Sequence, residues 1–122
     1  MRKGFSLIEL LVVFGLGALL LGLTISTLPR FTQRLALDNS ARLIASELRA
    51  LQTNAIAAHE TKTFQPAENP LPSGLSYSSS RSLSFAPSGY PTVGGSGTIV
   101  LSNRFGQTKR VILSSAGRIR LE

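Results

Sequence analysis

The chain has 122 residues, no cysteine, a single histidine and a formal charge of +7 at neutral pH. Such an inventory offers no disulfide framework and almost no transition-metal ligands, and the length leaves no room for a second large domain. The basic balance favours anionic partners, nucleic acid or lipid headgroups among them, without choosing between them.

Met1 to Gly4 form a short leader, with Arg2 and Lys3 set directly against an apolar stretch that runs from Phe5 to Leu28. A secretory signal has an apolar core of about 7–15 residues and then a small-residue cleavage site. Here the stretch is about 24 residues, roughly 36 Å as a helix, which is enough to cross a bilayer. It reads as a retained single-pass anchor. The positive-inside rule keeps its N-terminus cytoplasmic and exports the residues after Leu28. Glu9 interrupts the apolar run at a cost of roughly 2.5–3.5 kcal/mol on insertion scales. Removal of the leader after Gly4 would create an α-amino group at Phe5, a cation at the same depth that a neighbouring chain's Glu9 could compensate. The alternative is a glutamate solvated by headgroups. Without Arg2 and Lys3 the chain keeps 11 basic and 6 acidic residues, a charge of +5.

The run Gly4-Phe5-Ser6-Leu7-Ile8-Glu9-Leu10-Leu11-Val12-Val13 resembles the class III leader and N-terminal helix of type IV pilins and pseudopilins. The resemblance implies that a prepilin peptidase cuts after Gly4 and that the new N-terminus, Phe5, is methylated. It further implies that Glu9 neutralises a neighbour's amine in a filament of pilins. The subunit would stand in the bacterial inner membrane before assembly and in a periplasmic or cell-surface filament afterwards.

Pro29 lacks a backbone N–H and disfavours helix in the preceding residue, so a kink or break is expected there. Beyond it Leu37, Ala41, Ile44, Leu48, Leu51 and Ala55 recur at alternating spacings of four and three, the stripe of an amphipathic helix. Arg34 with Asp38, and Asp38 with Arg42, are candidate i,i+4 pairs on its other surface. The spacing predicts one long helix from about Phe5 to about Ala58, kinked near Pro29. Gly15, Gly17 and Gly22 weaken its first half. After it the period changes to two. Short strands are expected at residues 61–65, 75–78, 83–86, 98–102, 108–113 and 118–121. The turns between them fall at Pro66, Pro70, Pro72, Ser79-Ser80 and Pro87, at a hairpin loop Asn103-Arg104-Phe105-Gly106, and at Ser114-Ser115-Ala116-Gly117.

The fold class is therefore α+β: a long N-terminal helix, membrane-spanning in its first half and amphipathic in its second, on a small antiparallel sheet or sandwich. The divisions are a leader at 1–4, a transmembrane and assembly helix at 5–28, its amphipathic continuation at 29–59 and a β-rich part at 60–122. This layout is similar to the GspH/FimT group of the pilin superfamily. The likeness lies in the helical segment from Ala41 to Ala55, in Phe85-Ala86-Pro87-Ser88-Gly89 and in Ser115-Ala116-Gly117-Arg118-Ile119-Arg120.

Gly117-Arg118-Ile119-Arg120 is the feature that could carry an activity of its own. In a strand Arg118 and Arg120 would project together, about 6.6 Å apart, while Ile119 and Leu121 face the core. Arg104, Lys109 and Arg110 precede them, giving five basic residues with no acid among them. Paired guanidiniums fork onto phosphate oxygens, so such a patch would take double-stranded DNA by its backbone, without sequence preference and with steep salt dependence. The Gly-Arg-x-Arg pattern also resembles the DNA-binding tail of FimT-type minor pilins that take part in DNA uptake. Arginines on an edge strand equally serve to block aggregation.

No catalytic constellation is present. His59 is expected near the helix C-terminus, where an imidazolium suits the dipole, and Gly94-Gly95-Ser96-Gly97 reads as a flexible turn. No metal or cofactor is called for. Two functions remain: a minor pilin of a type IV pilus that contacts extracellular DNA and supports its uptake, or a structural pseudopilin of a type II secretion system without DNA binding.

Overall fold

A computed structural model of the chain describes residues 4–25, 27–79 and 81–122. Arg2 and Lys3 of the leader, and Ser80 of the turn expected at Ser79-Ser80, lie outside the described residues. The chain divides into two compact units, the first ending at Thr32 and the second spanning Gln33–Glu122.

In the first unit, α1 (Leu7–Ile25) is continuous through Gly15, Gly17 and Gly22 and buries none of its residues. Helix α2 (Leu28–Ala58) begins in this unit, with Pro29 at its second residue. The break therefore lies just ahead of the proline. Ile25, the last residue of α1, is four residues before Pro29, and a proline ring excludes that carbonyl from helical pairing while its own N–H is missing. Around the break Thr27 donates its backbone N–H to the Thr24 carbonyl at 3.3 Å and its hydroxyl to the same oxygen at 3.0 Å. From Phe31, whose N–H reaches the Thr27 carbonyl at 3.2 Å, the four-residue ladder resumes.

In the second unit, α2 buries Leu37, Ala41, Ile44, Leu48 and Ala55 as its spacing predicts, with Leu51 packed at the margin. Ser40 and Ala45, which flank the stripe, are buried as well. Among the described residues six strands complete the unit: β1 (Lys62–Phe64), β2 (Leu75–Ser79), β3 (Leu83–Phe85), β4 (Gly97–Asn103), β5 (Thr108–Leu113) and β6 (Ile119–Leu121). They form two sheets. β1 pairs with β3, and the larger sheet has the order β2-β4-β5-β6, antiparallel throughout. Phe64, Leu83 and Phe85 from the small sheet and Ile99, Leu101, Val111 and Leu113 from the large one complete a single core with the helix.

The two hairpins of the large sheet share one turn design. In each, three residues bridge the closing pair, and a glycine in the left-handed region, Gly106 at φ 78° or Gly117 at φ 78°, ends the turn. Only a residue without Cβ takes that conformation freely, and the three-residue loop is the form a glycine at this position selects. Asn103 secures the first turn, its Oδ1 accepting the N–H groups of Phe105 and Gln107, each at 3.0 Å. Ser114 secures the second, where its Oγ accepts the Arg118 N–H at 3.3 Å.

Helix α2 stops in a left-handed cap. Glu60 donates to the Ala55 carbonyl at 3.2 Å and His59 to the Ile56 carbonyl at 3.3 Å, the paired bonds of a Schellman motif. His59 occupies the position usually given to glycine, at φ 54°.

Candidate functional site: an N-terminal assembly motif and an arginine face

Gly4, Phe5 and Ser6 precede α1 as exposed, non-helical chain, and Phe5 is 77% exposed. The Gly4–Phe5 peptide bond thus lies in exposed chain. Glu9 is exposed in the first turn of α1, with its N–H bonded to the Ser6 carbonyl at 3.0 Å. Carboxylates at that position favour a helix dipole in their own right. Nineteen residues of α1 rise about 28 Å, close to the thickness of a bilayer's hydrocarbon core. An 18-residue window of the helical region reaches a mean hydropathy of 2.4 with none of it buried.

The large sheet separates its side chains by parity. On β4 and β5, Ile99, Leu101, Val111 and Leu113 point at the helix, and Val100, Arg110 and Ile112 point away. β6 pairs Ile112 with Arg120 and Leu113 with Ile119, so Arg120 lies on the outward face with Arg110. Arg118 sits just before β6, its carbonyl accepting the Ser114 N–H at 2.9 Å, and lies two residues from Arg120 on the same side. Arg110, Arg118 and Arg120 are all exposed. At about 3.3 Å per residue they span roughly 13 Å along the strands.

Four of the sequence expectations change here. Lys109 does not join the patch: it has the helix-facing parity of Val111, and its Nζ lies 3.3 Å from Asp38 of α2. Among the described residues that pairing stands in place of the anticipated bridges from Asp38 to Arg34 and Arg42, because the strand brings a cation to the carboxylate. Arg104 stands apart on the β4–β5 turn, its guanidinium 5.1 Å from the centroid of the Phe105 ring. Leu121 has the core-facing parity of its partner Val111 yet is 42% exposed, since β6 is the edge strand of the sheet among the described residues. Ile119 packs against the core.

Glu122 was missed by sequence reasoning. Its backbone exchanges two hydrogen bonds with Arg110, at 2.7 and 2.9 Å, which sets the carboxylate across from the arginine on the outward face. The signal was available: residues 118, 120 and 122 share one parity. Gly117 itself is part of the turn, where its carbonyl accepts the Gln52 side-chain amide at 3.3 Å. The same amide reaches the Gly89 carbonyl at 2.7 Å.

A second feature was not legible. An open groove of about 820 Å³ runs beside α2, between Leu43, Ile44 and Glu47 on the helix and Pro70, Leu71 and Tyr77 across from them. A further stretch of about 340 Å³ continues it past Glu47 toward Asn54 and Glu68. The Tyr77 hydroxyl donates to the Asn69 carbonyl at 2.8 Å. Burial, and then the nearby charge of Glu47, raise the phenol's pKa above its ordinary value. Among the described residues no group of three or more His, Asp or Glu side chains is placed to hold a metal.

The family model described as the prokaryotic N-terminal methylation motif matches residues 1–25, the leader and the start of the anchor. Over the full length, the chain is 30% identical to the Pilin-like protein PilA1 of Thermus thermophilus across 160 residues, covering 99% of this chain and 99% of that protein. The chain belongs to the type IV pilin-like proteins. No solved structure matches it. In this pilin-like chain the long helix on an antiparallel sheet is the family arrangement, and the exposed Gly4–Phe5 bond lies within its methylation motif.

Proposed function

We propose that this pilin-like protein is a minor pilin of the GspH/FimT kind, which enters a type IV filament and holds extracellular DNA against its arginine face during uptake. On this reading the prepilin peptidase cuts after Gly4 in the inner membrane, Phe5 is methylated, and Glu9 neutralises the amine of a neighbouring pilin. The exposure of Gly4 and Phe5 ahead of α1, with Glu9 one turn further on, supports that order of events.

The observation that carries the DNA contact is the strand register: Arg110, Arg118 and Arg120 share the solvent face of the large sheet, away from the helix. Three guanidiniums within roughly 13 Å suit successive phosphates and no base edge, so the binding is weak per subunit and falls steeply with salt. A mobility shift of duplex DNA with the full chain in detergent, at two salt concentrations, tests it. Arg118→Gln with Arg120→Gln is expected to abolish the shift at low salt; an unchanged shift, or none with the unaltered chain, ends the DNA reading.

The second reading, a structural pseudopilin of a type II secretion system, is favoured by one observation, the carboxylate of Glu122 set across from Arg110. Both readings share the assembly step, tested by Glu9→Ala. The variant should reach the membrane and fail to enter filaments, and normal entry would refute the charge-neutralisation step.

A further inference from the structure

Tyr90 stands beside the head of the arginine face. A Cβ at Gly117 would lie 3.3 Å from the Gly89 carbonyl oxygen and 3.8 Å from Pro91 Cδ, so the residues on both sides of Tyr90 pack against the residue that precedes Arg118. With consecutive Cα atoms about 3.8 Å apart, the tyrosine and the first arginine of β6's approach are near neighbours across that contact. Arg81, also exposed, belongs to the same end of the sheet: its Cδ lies 3.2 Å from where a Cβ at Gly97 would stand, and Gly97 pairs with Leu113, the last residue before the turn to β6. No aspartate or glutamate occurs between Glu68 and Glu122, a stretch that holds Tyr90 and all of these cations.

The ring is presented by a well-tied turn. Ala86 donates its N–H to the Tyr90 carbonyl at 2.8 Å, Gly89 donates to the Ala86 carbonyl at 2.9 Å, and Thr92 donates to the Ser84 carbonyl at 3.0 Å. The Ser84 and Thr92 hydroxyls bond to each other, and Pro91 bridges to Phe85, a fully buried residue of β3. Tyr90 is nevertheless 59% exposed, and among the described residues its side chain makes no hydrogen bond or ring contact. A lone exposed tyrosine is ordinary. One fixed at the head of a row of guanidiniums has the placing of a stacking ring in a single-strand binder, where aromatic faces follow a cationic track.

We propose that Tyr90 receives an unpaired base whose neighbouring phosphates lie on Arg118 and Arg120, so that the arginine face takes single-stranded DNA in preference to blunt duplex. In a duplex each base face is covered by its stacked neighbours, and exposing one carries an energetic cost that a single strand escapes. Every base has a face to stack, so the contact adds no sequence preference to that of the phosphates. The inference rests on the DNA reading and deepens it by naming the form of nucleic acid.

Tryptophan is absent and the chain has two tyrosines, so Tyr77→Phe leaves Tyr90 as the ring that tyrosine emission reports. With that full-length variant in detergent at low salt, a single strand of oligothymidylate should quench the emission, and a blunt duplex of equal length should not. Anisotropy of labelled DNA should show the otherwise unaltered chain binding the strand about tenfold more tightly than the duplex, within the usual weight of one stacked base. Tyr90→Ala is expected to erase that preference and leave duplex affinity in place, while Tyr90→Phe, which keeps the ring, should retain it. Equal affinity for the two forms, an equal loss of both in Tyr90→Ala, or emission indifferent to the strand overturns the proposal. Binding of neither form removes the DNA reading together with this site. Duplex binding that depends on Arg118 and Arg120 and shows no preference for the strand removes the Tyr90 site alone.

Discussion

The Gln52 side-chain amide donates to the carbonyl of Gly89 at 2.7 Å, and through the same nitrogen to Gly117 at 3.3 Å. One helical residue thus ties down the turn after β3 and the turn that launches β6. Those are the three segments, far apart in the chain, on which the outer resemblance to a pilin group rested. In this chain each of the three supplies one part of a joint that fixes where β6 begins.

The joint makes Gly117 sensitive. A Cβ there would stand 3.1 Å from the Gln52 amide nitrogen and 3.3 Å from the Gly89 carbonyl oxygen, in a backbone conformation at φ 78°. Gly117→Ala is expected to cost about 1–2 kcal/mol from the left-handed conformation, with the contact added to it. A lowered urea midpoint of the full chain in detergent would report it, and Gln52→Ala should lower the midpoint by less.

His59 points the other way. A non-glycine residue held at φ 54° in a helix cap carries strain that glycine does not. His59→Gly should raise stability, by up to about 1 kcal/mol, because relief of the strained conformation outweighs the extra freedom glycine gives the unfolded chain. Thermal unfolding followed by circular dichroism measures it, and a lowered midpoint would show that the imidazole makes a contact worth more than the strain.

Lys109 serves as an internal control for the arginine face. Its bridge to Asp38 joins side chains 41% and 35% exposed, so Lys109→Gln is expected to cost no more than about 1 kcal/mol. The same change should leave DNA retention intact. Arg110→Gln, by contrast, should flatten the plot of log affinity against log salt by about 0.9 if its guanidinium meets one phosphate. Equal losses from the two substitutions would mean that overall charge, and not the face, governs binding.

Tyr77 gives a pH signature. Its raised phenol pKa means that the folded chain holds this proton more tightly than the unfolded one. The associated stability is complete below the ordinary value of about 10 and is lost as pH rises through the folded value. In a Tyr90→Phe background the ultraviolet titration of the remaining tyrosine should run above 10. Glu47→Gln should bring it down, because that carboxylate is one cause of the shift. A titration at the ordinary value in the unaltered groove would contradict the burial of Tyr77.

Much of this architecture was legible in the residues. A half-buried strand must alternate and a half-buried helix must repeat every three or four residues, so β5 at 108–113 and the stripe from Leu37 to Ala55 announce themselves. What escaped depends on partners distant in the chain. Lys109 and Arg110 are neighbours in sequence, and only the register against β4 and the helix beneath it separates a bridged lysine from an exposed arginine. Glu122 acquired meaning through its pairing with Arg110 in the same way. The break near Pro29 was legible too, and it falls just before the ring because a proline acts on the carbonyl four residues behind it. The groove involves Leu43 and Leu71, from elements that no local pattern links.

The three-residue turn ending at Gly117 counts as well as bends. Strand parity has two values, so inserting or deleting one residue between Ser114 and Arg118 would exchange Ile119 for an arginine on the buried side and carry an isoleucine into water. Packing of the partly buried Ile119 thereby ties the register of β6 to the outward placing of the arginines. A chain that presents them inward gives up this packing and sets a guanidinium against the margin of the core.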